Sequence, residues 1–118
     1  MHELALSQQV ARLVTRAAAG RRVAAVHLEV GHLRQVTPEA LEHAWVATVN
    51  RTPLASARLV VTAVPAAVLC ADCHAETVLA GVPRFDCGAC GSHDTRVVRG
   101  EEFRLTAIDV DDDPTTGG

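Results

Sequence analysis

Two cysteine pairs, each with the spacing C-x-x-C, constrain this chain of 118 residues more than any other feature. These two pairs contain all four cysteines of the protein. Each pair can hold one metal ion from a tight turn, and two pairs complete a tetrahedron of thiolates. That ligand set is typical of zinc and less often of iron. The pattern therefore predicts a closed, structural zinc site on Cys70, Cys73, Cys87 and Cys90, with a short hairpin between the two turns.

Disulfide bonds or buried free thiols are the alternative interpretations of these cysteines. Disulfides need an oxidising compartment. The N-terminal stretch Met-His-Glu-Leu-Ala-Leu-Ser has no basic region and no long apolar run, so it does not resemble a signal peptide. No apolar run approaches membrane-spanning length either. We therefore expect a cytoplasmic protein with reduced cysteines and no membrane partner.

The composition limits the core and the class of partner. Hydrophobic residues make up 48% of the chain and aromatic residues only 3%, so the core must consist mainly of Val, Leu and Ala. The net charge is −3, and no run of basic residues occurs. Electrostatic binding to nucleic acid therefore has little support.

Hydrophobic periodicity predicts two helices and three strands. The first helix covers Leu4–Ala19, and Thr37-Pro38-Glu39 carries the capping, N1 and acidic signals that begin a second helix. Alternating apolar residues predict the strands, which are Val23–Leu33, Arg58–Val64 and Glu102–Val110. The fold class expected from this order is α+β: a three-stranded sheet with two helices, plus an inserted zinc-ribbon-like module.

The cysteine segment divides the expected fold into domains. An α+β domain covers residues 1–66 and 100–110, and a zinc-binding module covers residues 67–99. The last strand must return to the main sheet, because a lone strand after the module could not bury Phe103 and Leu105. Residues 111–118 are acidic, small and polar, which predicts a disordered tail.

The N-terminus carries a second set of metal-binding groups. The α-amine of Met1, the amide nitrogen of His2 and its imidazole can chelate one metal ion in adjoining rings, and the Glu3 carboxylate can add an oxygen. Such nitrogen-rich, tetragonal geometry suits Ni(II) or Cu(II). The alternative is a terminal histidine without any function, because termini tolerate change.

The other histidines have structural explanations. We expect His27 and His43 to face solvent from a strand and a helix, and His32 to lie in a turn. His74 and His93 each lie within three residues of a cysteine pair. They could donate hydrogen bonds to the thiolates or replace a cysteine as ligand, and with four cysteines available the hydrogen-bonding role is favoured.

Several of these motifs together resemble the HypA/HybF family of nickel metallochaperones, which act in the maturation of nickel–iron hydrogenases and in some organisms of urease. The motifs are M-H-E-L at the start, L-E-V-G-H-L with V-T-P-E-A-L, and the two C-x-x-C pairs ending in C-G-S-H. The resemblance covers residue 1 to about residue 110. It implies nickel bound through His2, with help from Met1 and Glu3, in the α+β domain. It also implies structural zinc on the four cysteines, a HypB-type GTPase partner and delivery to the hydrogenase large subunit precursor.

Two positions depart from the family pattern. The residue before the proline is commonly acidic and a candidate nickel ligand, and here it is Thr37. Either Glu39 or a group elsewhere would then complete the nickel site. The residue at position 7 is often Cys in the family, and here it is Ser7.

The sequence as a whole predicts a metallochaperone that carries nickel and performs no covalent chemistry, as a monomer or weak homodimer. A zinc-ribbon module that binds a protein or nucleic acid is the main alternative. An enzyme is the other, but the chain contains no H-E-x-x-H motif and no Gly-rich phosphate loop.

Overall fold

The computed structural model describes residues 2–79 and 84–111 and contains, within these ranges, two α-helices, one 3-10 helix and six strands. In chain order these elements are α1 (His2–Ala18), β1 (Arg22–Gly31), the 3-10 helix (His32–Arg34), α2 (Pro38–Val49), β2 (Arg58–Val64), β3 (Ala66–Cys70), β4 (Glu76–Leu79), β5 (Thr95–Arg99) and β6 (Phe103–Asp111). Met1 and the predicted tail beyond Asp111 lie outside the described residues. Among the described helices, none combines the length and hydropathy needed to cross a bilayer.

The main sheet has three strands in the order β2-β1-β6, so the last strand returns to β1 as expected. The two helices and this sheet confirm the predicted α+β class. Side chains also connect the strands: Arg104 Nε donates to Glu29 Oε1 over 2.6 Å, and His27 Nε2 lies 2.9 Å from Asp109 Oδ2. His27, which was predicted to face solvent, is partly buried and pairs with Asp109. His43 faces solvent as predicted.

A second sheet, in the order β4-β3-β5, takes the place of the single hairpin expected in the cysteine segment. Both pairings are antiparallel, with Val68 opposite Thr77 of β4 and opposite Val97 of β5. These strands were not predicted from the sequence, because each has only four or five residues. At that length, alternation is too short to stand out from a turn.

The contacts between residues form two compact units. The first contains the described chain up to Glu29, together with Val36–Thr62 and the chain from Arg104 onward. The second contains Val30–Gln35 and Ala63–Phe103. The assignment of one nickel-binding and one zinc-binding domain stays a prediction.

Two amphipathic helices provide much of the core of the first unit. Their fully buried apolar residues recur every three or four positions and are Val10, Val14 and Ala18 of α1 and Leu41, Trp45 and Val49 of α2. The indole Nε1 of Trp45 donates to the Ala57 carbonyl over 3.0 Å, so the buried polar atom of this side chain is satisfied. The predicted cap of α2 is confirmed, because Thr37 Oγ1 accepts a hydrogen bond from the Ala40 amide over 3.1 Å.

The second unit has a much smaller core. It is formed by Ala66, Val68 and Leu79, against which Leu33 and Val97 pack. Leu33 was predicted at the end of a strand, but β1 ends at Gly31 and the chain turns into the 3-10 helix. A side chain at Gly31 would overlap the backbone of Gly100, so only glycine allows this close approach.

Replacing Ser7 by alanine should stabilise the protein by about 1 kcal/mol. Ser7 is 1% exposed in α1, and its hydroxyl has no hydrogen-bond partner among the described residues, which is unfavourable for a buried polar group. Alanine also has a helix propensity better by ~0.5 kcal/mol. Chemical denaturation of the zinc-loaded protein measures the change. The control is Ala17→Ser at an exposed position of the same helix, which reports propensity alone. A loss of stability in Ser7→Ala would show that the hydroxyl is satisfied.

Candidate metal centre

The first cysteine pair lies where β3 ends. The backbone amide of Cys73 points at the Cys70 sulfur over 3.4 Å, and the amide of His74 donates to the Cys70 carbonyl over 3.1 Å. His74 has a φ of 64°, which turns the chain back toward β4. The tight turn thus directs both sulfurs of the pair to one side.

The second pair repeats this geometry. The amides of Ala89 and Cys90 point at the Cys87 sulfur over 3.3 and 3.4 Å, and the amide of Gly91 donates to the Cys87 carbonyl over 3.0 Å. Gly91 has a φ of 77°, at the position that His74 occupies in the first turn. The two C-x-x-C motifs therefore form two copies of one backbone turn.

The two turns bring all four cysteine sulfurs within 4.8 Å of one another. The shortest contacts join different turns: Cys70 to Cys90 at 3.6 Å and Cys73 to Cys87 at 3.5 Å. These distances are far longer than the ~2.05 Å of a disulfide. They are close to the ~3.8 Å edge of a tetrahedron with zinc–sulfur bonds of ~2.3 Å. The cluster therefore fits a zinc ion, as a donor set of four thiolates with no open position.

Hydrogen bonds join the turns around the sulfurs. The hydroxyl of Ser92, after the second pair, donates to the carboxylate of Asp72, inside the first. The amide of Gly88 donates to Thr77 Oγ1 of β4 over 2.9 Å. These contacts were not predicted from the sequence, although Asp72 lies inside the first C-x-x-C motif and Ser92 lies two residues after the second.

The backbone amides favour the thiolate form of Cys87. Hydrogen bonds from the Cys90 and Ala89 amides lower the pKa of the Cys87 thiol to about 6. The Cys73 amide likewise lowers the pKa of Cys70 from its usual value. Cys70 and Cys87 are the first residues of their turns, and the backbone amides of the following residues point at their sulfurs.

The two closing cysteines behave in the opposite way. The Ser92 amide lowers the pKa of Cys90, but the neighbouring sulfurs of Cys70 and Cys73 outweigh it and raise that pKa to about 12. For Cys73, the Ala75 amide lowers the pKa. The Cys87 sulfur and burial together outweigh that effect, so the pKa is raised above its usual value. Like charges so close together cannot all form without a cation, so the apo cluster keeps protons that a metal ion must displace.

Neither histidine near the cysteine pairs has a ring contact with sulfur in the described residues. The Nδ1 atom of His93 lies 2.6 Å from Asp86 Oδ1, and the ring is largely exposed. His74 contributes its backbone amide to the first turn, as described above, and its side chain points to solvent. The expected hydrogen bonds from these rings to the thiolates are therefore absent, because the cysteine amides already point at the sulfurs.

The other predicted metal-binding residues lie in the first unit. His2 is the first residue of α1 and is exposed, and Glu3 follows it in the first helical turn, half-buried. A hydrogen bond from its own backbone amide holds the pKa of the Glu3 carboxyl below its usual value. A negative charge there also suits the positive end of the helix dipole. Met1, the third member of this group, lies outside the described residues.

Comparison with known proteins identifies the family. The model of the family described as "Hydrogenase/urease nickel incorporation, metallochaperone, hypA" matches residues 1–110. The chain belongs to this family. The HypA/HybF resemblance predicted from the motifs is thereby confirmed, and the HypA family is one of metallochaperones rather than of catalysts.

The curated relatives agree over nearly their whole length. A hydrogenase maturation factor HypA from Geobacter metallireducens is 42% identical over 112 residues, which cover 94% of this chain and 100% of the relative. The HypA of Chloroflexus aurantiacus is 36% identical over 113 residues, or 93% of this chain and 99% of the relative. The solution structure of the nickel metallochaperone HypA from Helicobacter pylori has a TM-score of 0.65 at 16% identity, covering 92% of this chain and 96% of that one, which shows a shared fold.

Zinc binding at pH 7 should release at least two protons per ion. The thiols of Cys73 and Cys90 have pKa values above their usual range, so both remain protonated at pH 7 until the metal displaces their protons. The apparent zinc affinity should therefore rise with pH by about two or more decades per pH unit near neutrality. Calorimetry in buffers of different ionisation enthalpy counts the protons. Release of fewer than two would contradict these pKa directions.

The His74→Gly variant should keep its zinc and its stability. The ring touches no sulfur, and glycine adopts the φ of 64° without strain. The matched Gly91→Ala variant should have a free energy of unfolding lower by about 1 kcal/mol, because alanine is strained at a φ of 77°. Chemical denaturation measures the stability of each variant, and zinc content and zinc release to a chromogenic chelator measure how firmly each holds its metal. Faster zinc release from His74→Gly than from the wild type would restore a role for the imidazole.

Proposed function

We propose that this chain binds Ni(II) at its N-terminus and delivers it to the hydrogenase large subunit precursor, while zinc on the four cysteines holds the second unit together. The observation that carries this proposal is the match to a nickel-incorporation family from residue 1 to residue 110. The motif M-H-E stands at the first residues of that match.

The donor atoms of the N-terminal group support nickel as cargo. The Met1 amine, the His2 amide and the His2 imidazole supply nitrogen, and the Glu3 carboxylate supplies oxygen. Nitrogen and oxygen donors in tetragonal geometry suit Ni(II), whereas four thiolates suit zinc. His2 is exposed at the start of α1, so a partner could reach a nickel ion bound there.

Hydrogenase is the recipient that the relatives favour. They are named hydrogenase maturation factors, whereas the family description covers both hydrogenase and urease. In this proposal a HypB-type GTPase hands nickel to the chain or receives it. Thr37, the position that is commonly acidic in the family, caps α2. Glu39, which is exposed in the first turn of that helix, is the acidic residue closest to Thr37 in the sequence.

Nickel titration of zinc-loaded protein with its native N-terminus tests the site. His2→Ala, and separately one extra residue before Met1, should each weaken nickel binding at least about a hundredfold, since a direct ligand matters no less than its outer-shell partners. Zinc content should stay at about one ion per chain in both variants.

The matched control is His43→Ala, which removes an exposed histidine from α2 and should leave nickel affinity unchanged. Equal nickel binding by the wild type, His2→Ala and the extended protein would refute the N-terminal site. Loss of nickel binding only together with loss of zinc would instead assign both metals to the cysteines.

A further inference from the structure

A cleft of about 570 Å³ opens in the first unit, between the C-terminal half of α1, the end of α2 and the segment after it. This volume lies in the range of ligand-binding clefts, and most of the lining is apolar. Its floor is formed by Ala18, Val49 and Leu54, all of them buried. Neither His2, Glu3 nor the cysteines are among the described residues that line it.

Three arginines stand around this apolar floor, and one of them has a structural role. Arg21 donates from Nε to the Ala18 carbonyl over 3.0 Å, and its Nη2 reaches the Ala17 carbonyl over 3.4 Å. Its charge therefore stabilises the negative end of α1. The other two, Arg12 and Arg16, are exposed and lie one helical turn apart on α1.

Arg12 and Arg16 have no carboxylate partner among the described residues. The ion pairs found there involve His27, His93, Arg99 and Arg104 instead. Among the residues that the structure describes, no acidic side chain lines the cleft. In a chain of net charge −3, the cleft thus combines an apolar floor with two uncompensated positive charges on one side.

We propose that this cleft docks an acidic, amphipathic helix of a partner protein. An apolar side chain of that helix would enter the cleft between α1 and α2. Two carboxylates one turn apart would face Arg12 and Arg16, whose positions differ by ~6 Å along α1. Guanidinium groups bind carboxylates through paired hydrogen bonds, and buried apolar anchors beside arginine are typical of strong contacts in interfaces. This docking does not depend on nickel.

The lining favours a protein helix over nucleic acid. No aromatic side chain is present in the cleft to stack on a base, and two free arginines are few for tracking a phosphate backbone. Helix-in-groove recognition, by contrast, uses an apolar floor with charges at its edge. A second copy of this chain, through Glu39 and Glu42 on the exposed face of α2, is an alternative occupant that the experiment separates.

The experiment measures binding of a labelled synthetic helix by fluorescence anisotropy, with nickel-free, zinc-loaded full-length chain. The peptide has about 18 residues, or five turns, with leucines on one face and glutamates four positions apart beside them. We expect it to bind the wild type, and Arg12→Glu with Arg16→Glu to weaken binding at least about tenfold. Arg84→Glu with Arg96→Glu, the same double charge reversal in the second unit, and His2→Ala should both bind like the wild type.

Several outcomes would overturn the proposal. One is equal affinity of the wild type and the double variant, or equal affinity for a peptide with lysine in place of glutamate. Another is arginine-dependent binding of single-stranded RNA or anionic vesicles without binding of the peptide. Self-association in sedimentation that Arg12→Glu abolishes, without peptide binding, would assign the cleft to a second copy. If the double variant loses its fold by circular dichroism, Arg12→Gln with Arg16→Gln decides by the same tenfold criterion.

Discussion

Convergence of four cysteine sulfurs within 4.8 Å is the constraint on which the second unit depends. Its sheet has strands of four and five residues, and its core cluster contains three buried side chains. A sheet this small buries too little apolar surface to offset the entropy of ordering its chain. Metal–thiolate bonds add free energy only in the folded state, because the two turns must meet to form the site. Zinc binding at this cluster would therefore stabilise the folded form of the second unit.

The two metal sites differ in what their donors allow. Four thiolates would close a zinc site at the cysteines, which would hold the fold together and leave no position for exchange. The proposed nickel site at the N-terminus has nitrogen and oxygen donors on an exposed helix start, where a partner can take the ion. Affinity alone cannot select nickel there, because Cu(II) binds such donors more tightly. Selection must come from supply and from partner contacts, and the cleft beside Arg12 and Arg16 offers a surface for such contacts away from the ion.

The sequence predicted the larger elements of the first unit and missed the sheet of the second. Helix α1 was predicted within two residues at each end, because its apolar stripe is regular. The cap and proline that begin α2 were visible as Thr37 and Pro38. Strands β3, β4 and β5 were not, since each is short and is recognisable only through its antiparallel partners. Leu33 was assigned to the first strand, but the close approach of the Gly100 backbone at Gly31 ends the strand there.

The sequence by itself determined which atoms can bind metal. The spacing within each C-x-x-C pair favours a tight turn, and a histidine at position 2 offers the donor atoms of the proposed chelate with the backbone, since both depend only on neighbours in the chain. Tertiary structure decided what depends on residues far apart. It placed Cys70 against Cys90 and Cys73 against Cys87, and that proximity of like groups raises the pKa of Cys90 to about 12. It also brought the ends of α1 and α2 together around one cleft, which no local pattern in either helix specifies.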